Sequence, residues 1–248
     1  MVFYSEGRKC TPTLDEKGYS LVELMIVVAV SGVIMAGLAM VYSAQSKSYS
    51  AHDDVANIQQ DLRGALAILT MEIRKAGCDP TESNSAGILV ASLNHFRFTM
   101  DIRGNAVNAN SADGDVDDVD EDIAYGFQAG QDTNNDGIVD NGGAAWSGAG
   151  TLGRQTGNAG GFQGVANNID ALEFNYMLND GTTTLTPPDL SKIRAVQVSL
   201  LARSANPAQD FLNTNTYTAA SGVVWDPPDD NFRRRLVVAT IQCRNMEY

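Results

Sequence analysis

The fold follows from two adjoining stretches: KGYSLVE at residues 17–23 and LMIVVAVSGVIMAGLAMVY at residues 24–42. The second stretch has 19 residues and no formal charge, close to the ~20 residues that a helix needs to cross the hydrocarbon core of a membrane. A secretory signal peptide is cut after its apolar stretch, whereas the boundary found here, at Gly18, precedes it. The apolar segment should therefore be kept. Lys9 and Lys17 lie before it, which predicts a cytoplasmic amino-terminal end and export of the rest.

Helical periodicity continues beyond the apolar segment. Apolar residues recur at spacings of three and four, the pattern of a helix with one buried stripe, at Val55, Ile58, Leu62, Ala65, Leu69 and Ile73. Gly77 and Pro80 then follow as stop signals. We expect one long helix over residues 19–76, with a transmembrane and assembly segment at 24–42 and an outer half that packs on a sheet.

Residues 18–23 resemble the processing site of type IV pilins and of type II secretion pseudopilins. In that family a peptidase cuts after the glycine and methylates the new amino terminus. The resemblance implies a cleaved leader at residues 1–18 and an N-methylated Tyr19, which replaces the phenylalanine usual at this position. It also implies that Glu23 pairs with the methylated amino group of a neighbouring subunit during assembly. A carboxylate near the head of a membrane helix needs such a partner, because it costs ~2.5 kcal/mol or more at the bilayer centre.

The remainder, residues 77–248, has the pattern of a β-rich domain. Apolar and polar residues alternate at 95–102, 172–176 and 196–200, as in half-buried strands, and residues 236–241 form a more uniformly apolar run that predicts a more fully buried strand. One long helix followed by several strands predicts an α+β fold with an antiparallel sheet packed on the helix. Residues 165–176 and 233–241 resemble minor pilins of the PilW type, relatives of the secretion pseudopilin J, which implies a pilin fold.

Acidity is concentrated in one segment. The formal net charge is -13 and the pI about 4.4, which argues against a nucleic-acid partner because phosphate binding needs clustered Lys and Arg. Residues 101–140 contain most of this negative charge, and they overlap a glycine-rich insert at about 104–164 that is too long and polar for an ordinary connection. The insert is predicted to be either an ordered loop or a disordered one.

Part of the insert has the spacing of a calcium loop, with oxygen-bearing residues at alternate positions and a glycine at the sixth. The candidate ligands are Asp132, Asn134, Asp136, the carbonyl of Ile138, and Asp140. Gly143 replaces the bidentate glutamate of an EF-hand, so a further ligand must come from elsewhere. The acidic run supplies candidates at Asp113, Asp115 and Asp117. The alternative is a solvated acidic loop; no cofactor is required, and calcium would be structural.

Two cysteines, Cys78 and Cys243, remain after removal of the leader. Outside the cytoplasm they either form a disulfide or stay as buried free thiols. The basic run at residues 233–235 is interpreted as a solvated strand edge; the alternative is contact with the acidic segment or with a neighbouring subunit. His52 and His95 are interpreted as surface residues, and without a nucleophile and base motif the chain is predicted not to be an enzyme.

The hypothesis is therefore a minor type IV pilin, a structural subunit that helps to initiate or cap pilus assembly. Its expected partners are other pilins through the helix, the prepilin peptidase and the inner-membrane assembly platform. It is expected in the inner membrane with a periplasmic domain, then in the pilus at the cell surface. The alternatives are a pseudopilin of type II secretion and a calcium-ordered adhesin at the pilus tip.

Overall fold

The computed structural model describes residues 18–104, 111–118, 120–157 and 160–246. One long helix, α1, spans Leu21–Ile73, and the described chain divides into a unit that ends at Tyr49 and a second that begins at Ser50. The strands of the second unit are β1 Ile88–Ala91, β2 Phe96–Thr99, β3 Asp122–Phe127, β4 Gly150–Thr156, β5 Gln163–Leu178, β6 Thr183–Thr184, β7 Ile193–Arg203, β8 Tyr217–Thr218, β9 Val224–Trp225 and β10 Arg234–Gln242. A 3₁₀ turn lies at Leu190–Lys192.

The main sheet is antiparallel throughout and runs in the order β1-β2-β3-β4-β5-β7-β10, with β6 paired to part of β5. Strands β8 and β9 form a separate hairpin. The predicted α+β arrangement is confirmed. The insert was predicted to be a loop, and this is wrong in part: β3 and β4 lie within it and occupy central positions in the sheet.

One face of the sheet packs on the outer part of α1. Every residue of the predicted stripe after Val55 is buried there: Ile58, Leu62, Ala65, Leu69 and Ile73. On the sheet lies a group of buried aromatic rings, formed by Phe96, Phe98, Phe174 and Tyr176. The centroid of the Phe96 ring is 5.2–5.9 Å from the centroids of the other three rings. Full burial of each such side chain contributes about 1.5–3 kcal/mol, so this contact holds the helix on the domain.

The opposite face of the sheet is also covered, which the alternating pattern did not predict. Ala171 and Leu201 on this back face pack with Trp225 of the β8–β9 hairpin and with Ile138 from the loop between β3 and β4. Polar residues on the same face are buried but paired: the carboxylate of Glu173 accepts hydrogen bonds from the backbone N–H and the hydroxyl of Ser221 at 3.0 and 2.6 Å. The prediction of half-buried strands is therefore wrong for this part of the sheet, because both of its faces are covered.

Strand β10 was predicted to be a deeply buried strand, and this is wrong. It pairs with β7 alone at the end of the sheet, and most of its side chains are partly or fully exposed, with Ile241 buried. An edge strand tolerates apolar residues such as Val238 at intermediate or high exposure when neighbouring charges discourage pairing with other chains. The apolar composition of residues 236–241 was therefore a poor guide to depth.

The end of the helix lies close to the predicted position. The α-helical geometry stops at Ile73, and the following turn reaches Gly77, which has a positive φ of 72°. The Gly77 N–H donates to the carbonyl of Thr99 at 2.9 Å, so the glycine both ends the helix and starts its connection to the sheet.

Candidate functional site

The predicted cleavage boundary lies in an open part of the chain. Gly18 has no neighbouring atom within 4 Å of the position that a Cβ would take, and Tyr19 is 91% exposed. Both residues precede the first turn of α1. The leader before Gly18 lies outside the described residues, so cleavage after Gly18 and methylation of Tyr19 stay predictions.

Glu23 forms a reciprocal cap at the start of α1. The backbone N–H of Ser20 donates to the Glu23 Oε2 at 2.9 Å, and the N–H of Val22 donates to the Ser20 hydroxyl at 3.3 Å. This Ser-x-x-Glu arrangement is a variant of the capping box in which the serine accepts from the second helical residue and not from the third, and its spacing was visible in the sequence. Within a single subunit Glu23 thus has a partner. Its pairing with a neighbouring subunit stays a prediction.

The inner part of α1 presents large apolar side chains that no described residue covers. The exposed large apolar residues between positions 21 and 42 are Leu21, Val22, Leu24, Met25, Ile26, Val27, Val28, Val30, Val33, Ile34, Met35, Leu38, Met40, Val41 and Tyr42. The stretch is long and apolar enough to cross a membrane, and it is the one described helix that passes this test. Such a surface is stable in lipid or against other apolar helices, but not in water.

A polar network joins the outer part of α1 to the sheet. The Arg154 guanidinium on β4 donates to Glu72 of the helix at 3.0 Å and to Asp120 at 2.9 Å, while the Tyr125 hydroxyl also donates to Glu72. Burial, reinforced by the Glu72 carboxylate, raises the pKa of Tyr125 well above its usual range. The phenol therefore stays a hydrogen-bond donor, and the network fixes the rotation of the helix on the domain.

The predicted calcium loop is ordered, and its side chains bind its own backbone. The Asp132 carboxylate accepts from the N–H groups of Gly137 at 2.9 Å and Asp136 at 3.2 Å, and Asp136 accepts from the N–H of Ile138 at 2.8 Å. The carboxylate of Asp140 accepts from the backbone and hydroxyl of Thr133. Hydrogen bonding to the Gly142 N–H outweighs desolvation and lowers the pKa of Asp140, whereas burial raises that of Asp132.

The remaining two members of the predicted set lie in the same loop. The side-chain nitrogen of Asn134 donates to Asp136 at 2.9 Å, and Ile138 forms a backbone bridge to Ala171 on the back face. Among the described residues, one group of three carboxylates has oxygens within 4.8 Å of one another, close enough to share a metal ion, and it lies outside this loop. It consists of Asp113, Asp115 and Asp118.

The two acidic segments lie at opposite ends of β2. The calcium loop contacts Asn94 before that strand, through the 2.7 Å bond to Asp132. The N–H of Asp113 instead donates to Asp101, after the strand, at 3.2 Å. Six residues of extended chain lie between Asn94 and Asp101, which places these two residues roughly 20 Å apart. The structure therefore does not bring Asp113, Asp115 or Asp117 to the loop as additional ligands.

Both cysteines are free thiols in this structure. Cys243 is buried in the core beneath the sheet, and Cys78 is partly buried against the same core. Desolvation raises the pKa of both, to about 12 for Cys243. Thiols with raised pKa are poor nucleophiles, which fits buried structural residues.

The interpretations of the basic run and of His95 are wrong in part. Arg235 is exposed, as predicted. The Arg234 side chain is instead 1% exposed, and its guanidinium donates one hydrogen bond of 2.6 Å to Asp170 and two of 2.7 Å to Asp230. His95 is partly buried on the back face, 5.9 Å from the ring of Phe162. Both side chains were missed because a charged or polar residue next to a strand is usually solvated.

Two family profiles match the sequence. One, described as a prokaryotic N-terminal methylation motif, matches residues 14–39, and the other, described as type IV pilus-assembly protein W, matches residues 156–245. Among solved structures, a type IV-like pilin from Thermus thermophilus is 16% identical, with a TM-score of 0.48, over 77% of this chain and 98% of that chain. A comparison with curated proteins gives no match. The resemblance to type IV pilins of the PilW type is thus confirmed, in the N-terminal motif and in the strands of the C-terminal region.

Proposed function

We propose that the chain is a minor type IV pilin that helps to initiate or cap pilus assembly after prepilin cleavage and N-methylation. The observation that carries the proposal is the uncovered apolar surface of α1 between residues 21 and 42, most of which lies within the methylation motif matched at residues 14–39. In a bilayer this surface faces lipid, and in a filament it packs against equivalent helices of other pilins. Exchange between two apolar surroundings costs little, which allows the subunit to leave the membrane.

The proposed topology has the second unit in the periplasm before assembly and at the cell surface afterwards. Lysines on the amino-terminal side of the apolar segment support this orientation. The partners are other minor and major pilins, the peptidase and the assembly platform. The chain acts as a structural subunit and as the substrate of the peptidase, not as an enzyme.

Intact mass of the protein from membranes and from sheared filaments tests processing. The expected product begins at a methylated Tyr19, whereas a product that keeps Met1 or begins beyond Tyr42 contradicts the proposal. Immunogold labelling then tests the role, because an initiating or capping subunit should lie at filament tips. Labelling along the shaft at the density of a major pilin would contradict it.

Substitution of Glu23 tests the predicted contact with the neighbouring amino terminus. The variant Glu23→Val should be cleaved and remain in the membrane, since an apolar residue is better tolerated there, but it should be depleted from filaments. Asp53→Asn, an exposed acidic position on the same helix, is the matched control and should assemble normally. Equal recovery of both variants in filaments would refute the role of Glu23.

We also propose that the loop at residues 132–140 binds a structural calcium ion. Support comes from its sharp turn at Gly137, where φ is 81° and a Cβ would stand 2.4 Å from the carbonyl oxygen of Leu172. Calorimetry of the full chain with calcium is the test, with Asp132→Asn as the variant. Binding heat that Asp132→Asn abolishes would support the site, and no heat at millimolar calcium would refute it.

A further inference from the structure

A small cavity of about 190 Å³ opens on the back face of the sheet, beside the start of β2. Its lining comes from the turn before β2, from β3 and the loop that follows it, and from the residue just before β5. These segments bring Asn94, His95, Gly126, Asp132, Asn135 and Phe162 to the cavity. The cavity is smaller than the ~300–1,000 Å³ of sites for cofactors and drug-sized molecules, so its occupant is a small ligand or one unit of a larger one.

The base of the cavity depends on two glycines that face each other across β3 and β4. Gly126 pairs with Gly153 in the sheet, and both lack the side chain that would fill this position. The ring of Phe162 lies over them: a Cβ on Gly153 would stand 2.4 Å from the Phe162 Cβ, and one on Gly126 would stand 3.4 Å from the Phe162 Cζ. The ring therefore lies close to the sheet backbone and forms one wall of the cavity, at intermediate exposure.

The facing wall is polar and is held in place by its own hydrogen bonds. The side-chain nitrogen of Asn94 donates to Asp132 at 2.7 Å and lies 3.4 Å from the side-chain oxygen of Asn135. Asn94 is buried, with 8% exposure, and thus fixes the orientation of the carboxylate next to the cavity. The wall therefore offers two acceptors, the Asp132 carboxylate and the side-chain oxygen of Asn135.

His95 completes the lining with an unused polar atom. Its Nε2 is buried and has no hydrogen-bond partner among the described residues. Burial, assisted by the charge of Arg97, lowers the pKa of His95, so the imidazole is neutral near pH 7. A buried nitrogen without a partner loses the hydrogen bond it would make to water. A slight turn of the imidazole toward the cavity would bring the Nε2 within reach of a ligand hydroxyl, which would restore that bond.

We propose that this cavity binds a neutral sugar unit, with its apolar ring face on Phe162 and its hydroxyls on Asp132, Asn135 and the His95 Nε2. A sugar ring combines an apolar face with adjacent hydroxyls that both donate and accept, and the two walls offer the matching surfaces. Among the described residues that line the cavity, Asp132 is the one with a charge and none is Lys or Arg, so anionic ligands are disfavoured. The site is independent of the assembly role of the helix.

The test is saturation-transfer NMR on the full chain in nanodiscs of phosphatidylethanolamine and phosphatidylglycerol, with a chelator present and without sugar-headed detergents. The probes are glucose, galactose, mannose and N-acetylglucosamine, with N-acetylneuraminic acid as the anionic comparison and triglycine as the peptide comparison. At least one neutral sugar should bind at millimolar concentration, and the two comparison ligands should not. Absence of transfer to every neutral sugar, or stronger binding of the anion or the peptide, would overturn the proposal.

Matched variants locate the binding. His95→Ala and Asp132→Asn should each weaken it about tenfold, the loss expected for one hydrogen bond in a desolvated site. His52→Ala and Asp226→Asn change exposed residues of the same types outside the cavity and should have no effect. Ala129→Trp adds bulk at the exposed rim without removing a contact, so it tests the site even where the polar variants unfold. Binding that survives Ala129→Trp unchanged would refute the location.

Discussion

Replacement of Arg234 by methionine tests whether the start of β10 is anchored by buried charges. The guanidinium is 1% exposed and bridges Asp170 and Asp230, with three contacts of 2.6–2.7 Å. Methionine keeps much of the aliphatic volume but removes the charge. Among the described residues, the carboxylate of Asp170, itself 1% exposed, then keeps one ion-pair contact, with the Nε of Arg203 at 3.3 Å.

Loss of one member of a buried ion pair costs about 3–5 kcal/mol, because the remaining charge stays desolvated. Arg203 still faces Asp170 and Asp230 is partly exposed, so we expect the lower end, about 3 kcal/mol. At a urea m-value of ~2 kcal/mol/M this lowers the unfolding midpoint by about 1.5 M. Adding Asp170→Asn to the variant removes the stranded charge and should regain roughly half of the loss.

Equilibrium urea unfolding of the full chain in nanodiscs measures these changes through tryptophan fluorescence, since Trp225 is buried beside the back face. Arg235→Met is the control: it changes the next residue, which is exposed, and should stay within about 0.5 kcal/mol of the parent. Equal effects of the two arginine substitutions, or a loss below about 1 kcal/mol for Arg234→Met, would refute the reasoning.

The pH dependence of the same variant provides a second measurement. Burial raises the pKa of Asp170, and Arg203 and Arg234 oppose that rise. Without Arg234 the folded-state pKa rises further above the unfolded value of ~3.9. Protonation then favours the folded state, so the deficit of Arg234→Met should be largest near neutral pH and shrink as the pH falls through the folded-state pKa. A deficit that grows in acid would contradict this account.

Three further predictions concern the core. Leu69→Ala, at a fully buried helix position, should cost about 2–5 kcal/mol in urea unfolding, whereas Met71→Ala, exposed on the same helix, should cost less than about 0.5; equal costs would contradict the packing. Tyr125→Phe should lower the free energy of unfolding by about 1.5 kcal/mol, because it removes the hydrogen bond to the Glu72 carboxylate, which Arg154 still neutralises. An unchanged melting temperature would argue against that bond. Cys78 should react with maleimide in the folded chain and Cys243 only after unfolding; a peptide map showing the two bridged would replace this expectation.

The helix was the most predictable element because its evidence is local. Spacings of three and four between Val55 and Ile73, and the glycine at position 77, specify the element and its end without reference to the rest of the chain. The motif at residues 18–23 was equally readable, since cleavage and methylation depend on adjacent residues. The candidate calcium loop was readable for the same reason, because the spacing of its oxygen-bearing residues is local.

What the sequence did not reveal depends on contacts between distant segments. Strand β3 has apolar residues at 123, 125 and 127, a short alternation that was overlooked inside an acidic and glycine-rich stretch. Burial of Glu173 requires Ser221 from a hairpin 48 residues later, and no local pattern predicts that partner. The burial of the Arg234 side chain likewise depends on its ion pair with Asp170, which lies two strands away in the sheet.

The covering of the back face has a consequence for how subunits can recognise one another. Because Trp225, Ile138 and the turn at Ser221 already occupy that side of the sheet, a neighbour in a filament would meet irregular loops instead of a flat β surface. Loops can change in sequence without disturbing the strands beneath them. Related subunits could thus keep one scaffold while each acquires its own lateral contacts, which is what ordered assembly from several similar proteins demands.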